Sequence, residues 1–264
     1  MSKPITHPGI SSLGEGEYAW YLLERIEDRI NRIYEYVEIE KDQLGIHSLH
    51  NALGLYEVGT LVETTFRKIV RHEAVASFPS LQKRSLTRAK RRNANILDYR
   101  NVLEPVLNLS RRSTEFRLFK YAVTLIPFGS FSESDSVSPA WWLAYNSVKH
   151  DINENMKKAT LERLIEGAAA AFLLTVLYPG NWPSLIVHNR LSPTRRSRRG
   201  WFMPQNIDGE IFWTKLFEAF FPHFNSGVET FSSPVIQVSD VTANSRLFFS
   251  HLAHFDPDKK YVIP

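Results

Sequence analysis

The sequence predicts a mainly α-helical, antiparallel bundle followed by an irregular α+β C-terminal extension. Long segments in the first two thirds of the 264-residue chain place apolar residues at steps of three and four, which is the period of an amphipathic helix. Beyond residue 180 this period disappears, and proline, asparagine, serine and aromatic residues are mixed. We therefore expect a flexible lead-in over residues 1–14, a helical domain over 15–180, and an extension over 181–264 that packs on the bundle.

Two long amphipathic helices are predicted first, over residues 17–41 and 47–72. Their apolar positions are Leu22, Ile26, Ile30, Ile33 and Val37 in the first, and Leu55, Val58, Val62, Phe66 and Ile69 in the second. Because only residues 42–46 separate the two segments, we expect the helices to be antiparallel neighbours.

The middle of the chain predicts a shorter helix and some extended structure. A helix is expected over residues 93–110, interrupted near Pro105 and preceded by a basic loop or helix start around residues 88–92. Residues 115–131 are rich in aromatic and β-branched side chains with partial alternation. This pattern predicts one or two short strands or an extended arm.

Two further helices are predicted in the second half of the bundle. Ser138 followed by Pro139 is a typical N-cap and first-turn pair, so a helix should start there and run to about Ile152. Residues 157–180 predict a helix that stops at the Pro-Gly pair at its end, and the alanine run within it is typical of a buried helix that its neighbours approach closely.

The extension is expected to be mixed. Residues 209–224 predict a short helix, and residues 234–240 and 245–252 predict strand-like pieces.

Composition limits the classes of protein that fit this chain. With 43% hydrophobic and 23% charged residues, it predicts a folded protein rather than a disordered one. It has no apolar run of about eighteen residues and no apolar signal segment, so we expect no membrane insertion, no secretion and a cytoplasmic location. The absence of cysteine excludes disulfides, thiol nucleophiles and cysteine-ligated zinc. A net charge of +4 permits a polyanionic partner without demonstrating one.

The ten residues 141–150, WWLAYNSVKH, hold the most distinctive set of functional groups. On a helix, Trp142, Asn146 and His150 form one column, Tyr145 and Lys149 form an adjacent one, and Trp141, Ala144, Val148 and Ile152 form the apolar side. An imidazole such as that of His150 can transfer a proton during RNA cleavage, and Lys149 could neutralise charge that builds up on phosphate. Asn146 could orient the histidine or a phosphate oxygen. Alternatively, the polar groups of this helix are hydrogen-bonded at a packing junction and are purely structural.

The chain resembles the HEPN superfamily, in particular bacterial members with a WWxxYNxxKH signature. The resemblance rests on this motif, the two long helices, and the segments NILDYRNVLEPV and ATLERLIEGAAAAFLL. The resemblance covers about residues 18–177 and is sharp only over residues 141–150. It implies an all-α bundle, often dimeric, and metal-independent RNase activity of the kind found in toxin–antitoxin, phage-defence and RNA-processing systems.

The resemblance also assigns roles within the motif. The catalytic pattern of that superfamily is an arginine, a polar residue and then a histidine, which places Asn146 at the polar position, His150 at the histidine and Tyr145 at the arginine. A phenol offers one neutral donor where a guanidinium would bind phosphate with two, so Tyr145 is a weak substitute that Lys149 could only partly support. Copies without the arginine are expected to be RNA-binding or partner-binding modules that do not cleave.

Two basic clusters are candidate nucleic-acid contacts. One contains Lys90, Arg91 and Arg92 within the segment KRSLTRAKRR, and the other contains Arg195, Arg196, Arg198 and Arg199, followed closely by Trp201 and Phe202. Cations beside an aromatic ring suit a phosphate backbone with stacked bases. For both clusters the alternative is an ordinary solvated loop.

No metal or cofactor is expected. The histidine pairs His47 with His50 and His251 with His254 have no acidic third ligand at a recognisable spacing. The sequence also has no glycine-rich nucleotide loop and no nucleophile elbow.

Together with these features, the resemblance implies an RNA-binding or metal-independent RNA-cleaving protein of a bacterial defence or stress system. His150 would be the acid or base, Asn146 the orienting group, Lys149 the phosphate contact and Tyr145 a weak donor. Homodimerisation is expected from the resemblance. The alternatives are a catalytically silent module that binds a partner protein or itself, and a small-ligand binding protein that uses the aromatic residues of the extension.

Overall fold

The computed structural model describes residues 15–37, 40–76, 81–118, 121–132, 137–178, 181, 191–192, 209–213 and 217–222, and it is mainly helical. The helices are α1 Glu15–Tyr34, α2 Leu49–Arg71, α3 Glu73–Ala76, α4 Lys83–Ala89, α5 Ile96–Leu107, α6 Ala140–His150, α7 Ile152–Asn155 and α8 Leu161–Leu177. The strands are β1 Thr114–Leu118, β2 Tyr121–Leu125, β3 Leu191–Ser192, β4 Gly209–Trp213 and β5 Phe217–Pro222. Among the described residues, no helix is long and apolar enough to cross a membrane.

Helix α2 is the central element of the bundle. The Ser48 side chain accepts a hydrogen bond from the backbone of Asn51 at 3.1 Å and so caps the helix. Its apolar face packs against α1, α6 and α8. Arg29 of α1 donates to Glu57 of α2 at 2.9 Å, and Arg25 lies 3.4 Å from the same carboxylate. Since residues late in α1 lie beside residues early in α2, the predicted antiparallel pair is confirmed.

Helix α8 runs parallel to α2. At one end of the pair, His47 forms a β-bridge with Thr160, and at the other end the ring of His72 meets that of Tyr178 edge-on at 6.3 Å. The alanine run at residues 168–171 is fully buried, as the sequence predicts. Close approach explains Gly167, because a Cβ there would lie 2.9 Å from Val58.

Helix α5 differs from its prediction at Pro105. The helix starts with a reciprocal capping box between Asn95 and Asp98 and continues without interruption to Leu107. Pro105 removes the backbone donor that would bond to the carbonyl of Asn101 one turn earlier, and α5 continues despite the loss of this one hydrogen bond. The helix then ends as Asn108 adopts a left-handed conformation (φ 52°) and donates to the carbonyl of Glu104 at 2.9 Å.

The strands form one antiparallel sheet in the order β2-β1-β5-β4-β3. The β1–β2 hairpin confirms the prediction of short strands after residue 114. The helix predicted over residues 209–224 is wrong, because the chain there forms β4 and β5, paired with Ile211 opposite Phe220. Aromatic residues favour extended pairing, and β5 finds a partner in β1, with Phe217 opposite Phe116. The strand-like pieces predicted at 234–240 and 245–252 lie outside the described residues.

Helix α6 begins slightly later than predicted. Pro139 is its N-cap, with an extended ψ of 140° and no side-chain hydrogen bond, so Ser138 is not the cap. The helix ends at His150, and the Asp151 side chain then caps the short helix α7 by accepting from the backbone of Asn153 and Glu154. The ten-residue motif therefore occupies almost the whole of α6.

Candidate functional site

The apolar face of α6 fixes the motif to the bundle. Trp141 is 1% exposed, and its indole Nε1 donates to the carbonyl of Pro127 at 2.8 Å. Its ring meets those of Phe128 and Trp142 edge-on. Ala144 and Val148 are also buried, so the side of the helix that the sequence predicts to be apolar does face the core.

Tyr145 lies between α6 and α2 rather than on an open polar edge. The residue is only 3% exposed, and its ring contacts the rings of Trp142 and Tyr56. It packs directly over Gly59, where a Cβ would lie 2.3 Å from the ring. Its hydroxyl donates to Oε1 of Glu63 at 3.1 Å. The phenol at the position that the resemblance gives to the arginine is therefore enclosed by protein.

Glu63 of α2 also binds Lys149. The ammonium Nζ donates to the same Oε1 at 3.0 Å and lies 5.1 Å from the centre of the Tyr145 ring, within cation–π range. Arg67, one turn along α2, lies 3.7 Å from the other carboxylate oxygen. One carboxylate thus faces two cations and a phenol, and we call these four residues the Glu63 cluster.

The cluster changes the proton affinities of its members. Burial raises the pKa of Tyr145, and the Glu63 charge adds to this rise, while the neighbouring ammonium of Lys149 opposes it. Burial alone would lower the pKa of Lys149, but its interactions with the Tyr145 hydroxyl and Glu63 outweigh that effect and raise it. Near neutral pH the phenol is therefore a neutral donor and the ammonium a paired cation.

His150 and Asn146 lie on the open side of α6. His150, the last residue of the helix, is exposed, and Asn146 is half-buried one turn before it. Within the described part of the chain neither side chain has a hydrogen-bond partner. The imidazole is thus accessible to a ligand, and none of the described side chains orients it.

The arrangement supplies one accessible proton-transfer group. Cleavage of an RNA phosphodiester needs one group to accept the 2′-hydroxyl proton, a donor for the leaving oxygen, and charge to stabilise the phosphorane. His150 could serve one proton transfer. The Glu63 carboxylate already partly neutralises Lys149 and holds the hydroxyl of Tyr145, so neither is a free phosphate ligand.

The first basic cluster is an exposed surface in the structure. The segment 83–92 forms α4 and the turn after it, and Lys90, Arg91 and Arg92 all point into solvent. Lys83 and Arg84 at the start of α4 are exposed as well. The second cluster, Arg195, Arg196, Arg198 and Arg199, lies outside the described residues, as do the His251 and His254 pair and the rings of Trp201 and Phe202.

No three described histidine or acidic side chains are close enough together to hold a metal ion. His50 of the remaining histidine pair has its Nδ1 3.5 Å from a guanidinium nitrogen of Arg29, a neighbour that disfavours a metal cation there.

Glu63 is the residue that sequence reasoning missed. It is separated from Tyr145 by 82 positions and from Lys149 by 86. Only its place on α2, one turn beyond the small residue Gly59, hints at a contact with a large ring. No family model matches the chain, and neither a curated protein nor a solved structure matches it.

Proposed function

We propose that this protein binds RNA through the exposed basic surface of residues 83–92, carried on a HEPN-like bundle whose α6 motif does not cleave. The observation that supports this proposal is that the cations of that surface are exposed and are not paired with carboxylates. Lys83, Arg84, Lys90, Arg91 and Arg92 are exposed, and no carboxylate in the described part of the chain lies within ion-pair distance of any of them.

The sixth cation of the segment behaves differently. Arg88 lies 3.0 Å from Asp98, the residue that completes the capping box of α5. This ion pair joins α4 to α5. Ala89 of α4 is also buried, so the remaining cations stand on elements that pack on the bundle, which suits binding to a polyanion better than a mobile tail does. Single-stranded RNA offers closely spaced phosphates for such a surface.

The Glu63 cluster supports the non-cleaving form of the proposal. A motif arginine would bring a permanent, bidentate phosphate ligand into the site, whereas Tyr145 is buried and donates to a carboxylate. The partly neutralised Lys149 does not replace it. The motif therefore acts mainly to hold α6 against α2.

The second candidate function is metal-independent RNA cleavage, which the accessibility of His150 favours. In that case His150 transfers the proton, Asn146 orients it, and Lys149 contacts phosphate after leaving Glu63. Incubation of the protein with tRNA and total RNA in EDTA separates the candidates. We expect intact RNA with the wild type and with His150→Ala, whereas cleavage that is lost in His150→Ala would establish the enzyme.

Binding itself is tested by charge removal on the surface. The variant Arg91→Gln/Arg92→Gln should weaken binding of a single-stranded oligonucleotide by about tenfold or more at moderate salt. The matched control is Arg32→Gln/Lys41→Gln, which removes two exposed cations elsewhere on the bundle and should change binding little. If both variants lost the same affinity for the oligonucleotide, the effect would come from the overall charge of the protein, and the assignment of binding to this surface would be wrong.

The homodimer expected from the resemblance belongs to the same proposal. Leu143 on α6 is 53% exposed, so the open side of the motif helix carries a large apolar group beside Asn146. A two-fold contact through α6 would cover it. Analytical ultracentrifugation of the wild type and of Leu143→Ser tests this point. If both proteins sediment as monomers, the proposed homodimer is wrong.

A further inference from the structure

Thr87 carries an exposed hydroxyl in the middle of the basic surface of residues 83–92. It lies on α4, and its Oγ1 donates to the backbone carbonyl of Lys83 at 2.8 Å. The helical period places Lys83 and Arg84 one turn before Thr87, and Lys90 and Arg91 one turn after it. All four of these cations are exposed. The hydroxyl is therefore surrounded by cations on its own face of the chain.

The helical turn continues past the end of α4 at Ala89. Lys90 keeps a right-handed helical conformation (φ −80°, ψ −9°), and its backbone N–H donates to the carbonyl of Leu86 at 3.1 Å. The backbone N–H of Arg91 donates to the carbonyl of Arg88, also at 3.1 Å. Lys90 and Arg91 therefore stay on the side of the chain that carries Thr87.

Thr60 on α2 is a natural counterpart with the opposite surroundings. It is exposed as well, and its Oγ1 donates to the carbonyl of Tyr56 at 2.8 Å, so the two threonines have the same local geometry. One turn before and after Thr60 lie the carboxylates of Glu57 and Glu63, at positions where Thr87 has cations. A comparison of the two threonines thus separates the effect of charge from that of exposure.

We propose that Thr87 is phosphorylated by an arginine-directed protein kinase, and that the phosphate group blocks RNA binding by the basic surface. The second half of this proposal rests on the proposed function. In the transfer, Oγ1 of Thr87 attacks the γ-phosphorus of ATP. The bond from that phosphorus to the β,γ-bridging oxygen breaks, and ADP leaves with the electron pair of this bond. The hydroxyl proton passes to a carboxylate base of the kinase.

The chain around Thr87 suits recognition by such a kinase. Charge patterns select kinase substrates, because acidic groups of the kinase pair with cations of the substrate, and Arg84 lies three residues before Thr87. Helix α4 has only seven residues, whereas an isolated helix needs about 12–15 residues to be stable in water. The Arg88 side chain that ties α4 to Asp98 is itself 55% exposed. Local opening of this short helix can therefore present Thr87 to the kinase.

The cations around Thr87 would hold a phosphate group once it is attached. Phosphothreonine carries about −1.5 to −2 charges at neutral pH and three acceptor oxygens, which form charge-assisted hydrogen bonds with lysine and arginine side chains. Two effects oppose this. The dipole of α4 disfavours an anion near the end of the helix, and the Asp98 carboxylate is close by, although Arg88 pairs with it at 3.0 Å. The four cations outweigh both effects, and the phosphate takes up charge that RNA would otherwise neutralise.

Kinase treatment of the full chain tests the modification site. The protein is incubated with Mg–ATP and a serine/threonine kinase that requires arginine three residues before its target, and phosphopeptides are then identified by mass spectrometry. We expect phosphate on Thr87, no phosphate on Thr60, and no phosphate at position 87 of the variant Thr87→Val. The proposal is overturned if Thr87 remains unmodified, or if Thr60 is modified to the same extent as Thr87.

Titration of a single-stranded oligonucleotide tests the consequence for RNA binding. Phosphorylation should weaken binding by about tenfold or more at moderate salt, and the salt dependence should become less steep by about 1.4, as expected when about two cations are neutralised. Kinase-treated Thr87→Val should keep the affinity of its own untreated sample. If the wild type binds RNA equally well with and without phosphate, the inhibitory role is wrong and RNA binding stands. If the wild type takes up phosphate on Thr87 but binds no RNA in either form, the proposed function and the inhibitory role both fail, and the modification site alone is supported.

Discussion

Replacing Glu63 by glutamine is the sharpest test of how the motif helix is held. Glu63 joins α2 to α6 through two hydrogen bonds, from the Tyr145 hydroxyl at 3.1 Å and from the Lys149 ammonium at 3.0 Å. The substitution Glu63→Gln keeps the shape and one acceptor oxygen but removes the charge. The variant therefore isolates the electrostatic part of the contact from its packing.

The expected loss follows from the exposure of each partner. The Tyr145 contact is largely enclosed, and exchange of a charged for a neutral acceptor should cost about 1 kcal/mol. The side chain of Lys149 is 43% exposed and that of Glu63 is 24% exposed, so solvent screens the ion pair and limits it to about 0.2–1 kcal/mol. We expect Glu63→Gln to lower the free energy of unfolding by about 1–2 kcal/mol.

Urea unfolding of a double-mutant cycle measures this contact directly. Glu63→Gln, Tyr145→Phe and the double variant should show a coupling energy of about 1 kcal/mol, because the two residues share one hydrogen bond. The control cycle pairs Tyr145→Phe with Glu57→Gln, whose carboxylate binds Arg29 of α1 instead. That pair should be additive within about 0.5 kcal/mol. Additivity in both cycles would refute the placement of Tyr145 against Glu63.

Three further predictions concern stability. Gly59→Ala should lower the free energy of unfolding by at least about 1 kcal/mol, because the clash with the Tyr145 ring exceeds the gain in helix propensity. The control Gly45→Ala should be nearly neutral, since a Cβ at Gly45 would meet no atom within 4 Å. Equal urea midpoints for the two variants would contradict this prediction. Asn95→Ala should cost about 1 kcal/mol by removing the α5 cap, and unchanged thermal unfolding would exclude the capping role. The pKa values of Tyr145 and Lys149 are raised in the folded protein. The stability that these groups contribute at neutral pH should therefore be lost as the pH rises above about 10, where the same side chains titrate in the unfolded protein. A denaturation midpoint that stays constant up to pH 11 would contradict the shifts.

Helices with strong periodicity could be predicted from sequence because their local pattern and their packing agree. The long helices α1 and α2, their antiparallel pairing and the end of α8 before its Pro-Gly pair were all accessible in this way. The apolar face of α6 was accessible too, since Trp141, Ala144 and Val148 lie on one side at helical spacing.

Features that depend on distant partners could not be predicted. The segment 209–224 contains enough apolar residues for a helix. It forms strands instead because β5 pairs with β1, which lies about a hundred residues earlier in the sequence. In the same way, the burial of Tyr145 depends on the absence of a side chain at Gly59 and on the acceptor at Glu63, both on another helix. The local pattern places Tyr145 and Lys149 in one helical column, and only the packing of α6 on α2 shows that the phenol is enclosed while the imidazole of His150 is exposed.

The salt dependence of RNA binding tests the central proposal most directly. If five cations of the surface 83–92 contact a single strand, the logarithm of the binding constant should fall against the logarithm of salt concentration with a slope of about −3.5, at roughly 0.7 per cation. Arg91→Gln/Arg92→Gln should reduce the steepness by about 1.4, while Arg32→Gln/Lys41→Gln should leave it unchanged. Binding that is absent, or a slope that the first variant does not change, would contradict RNA recognition by this surface.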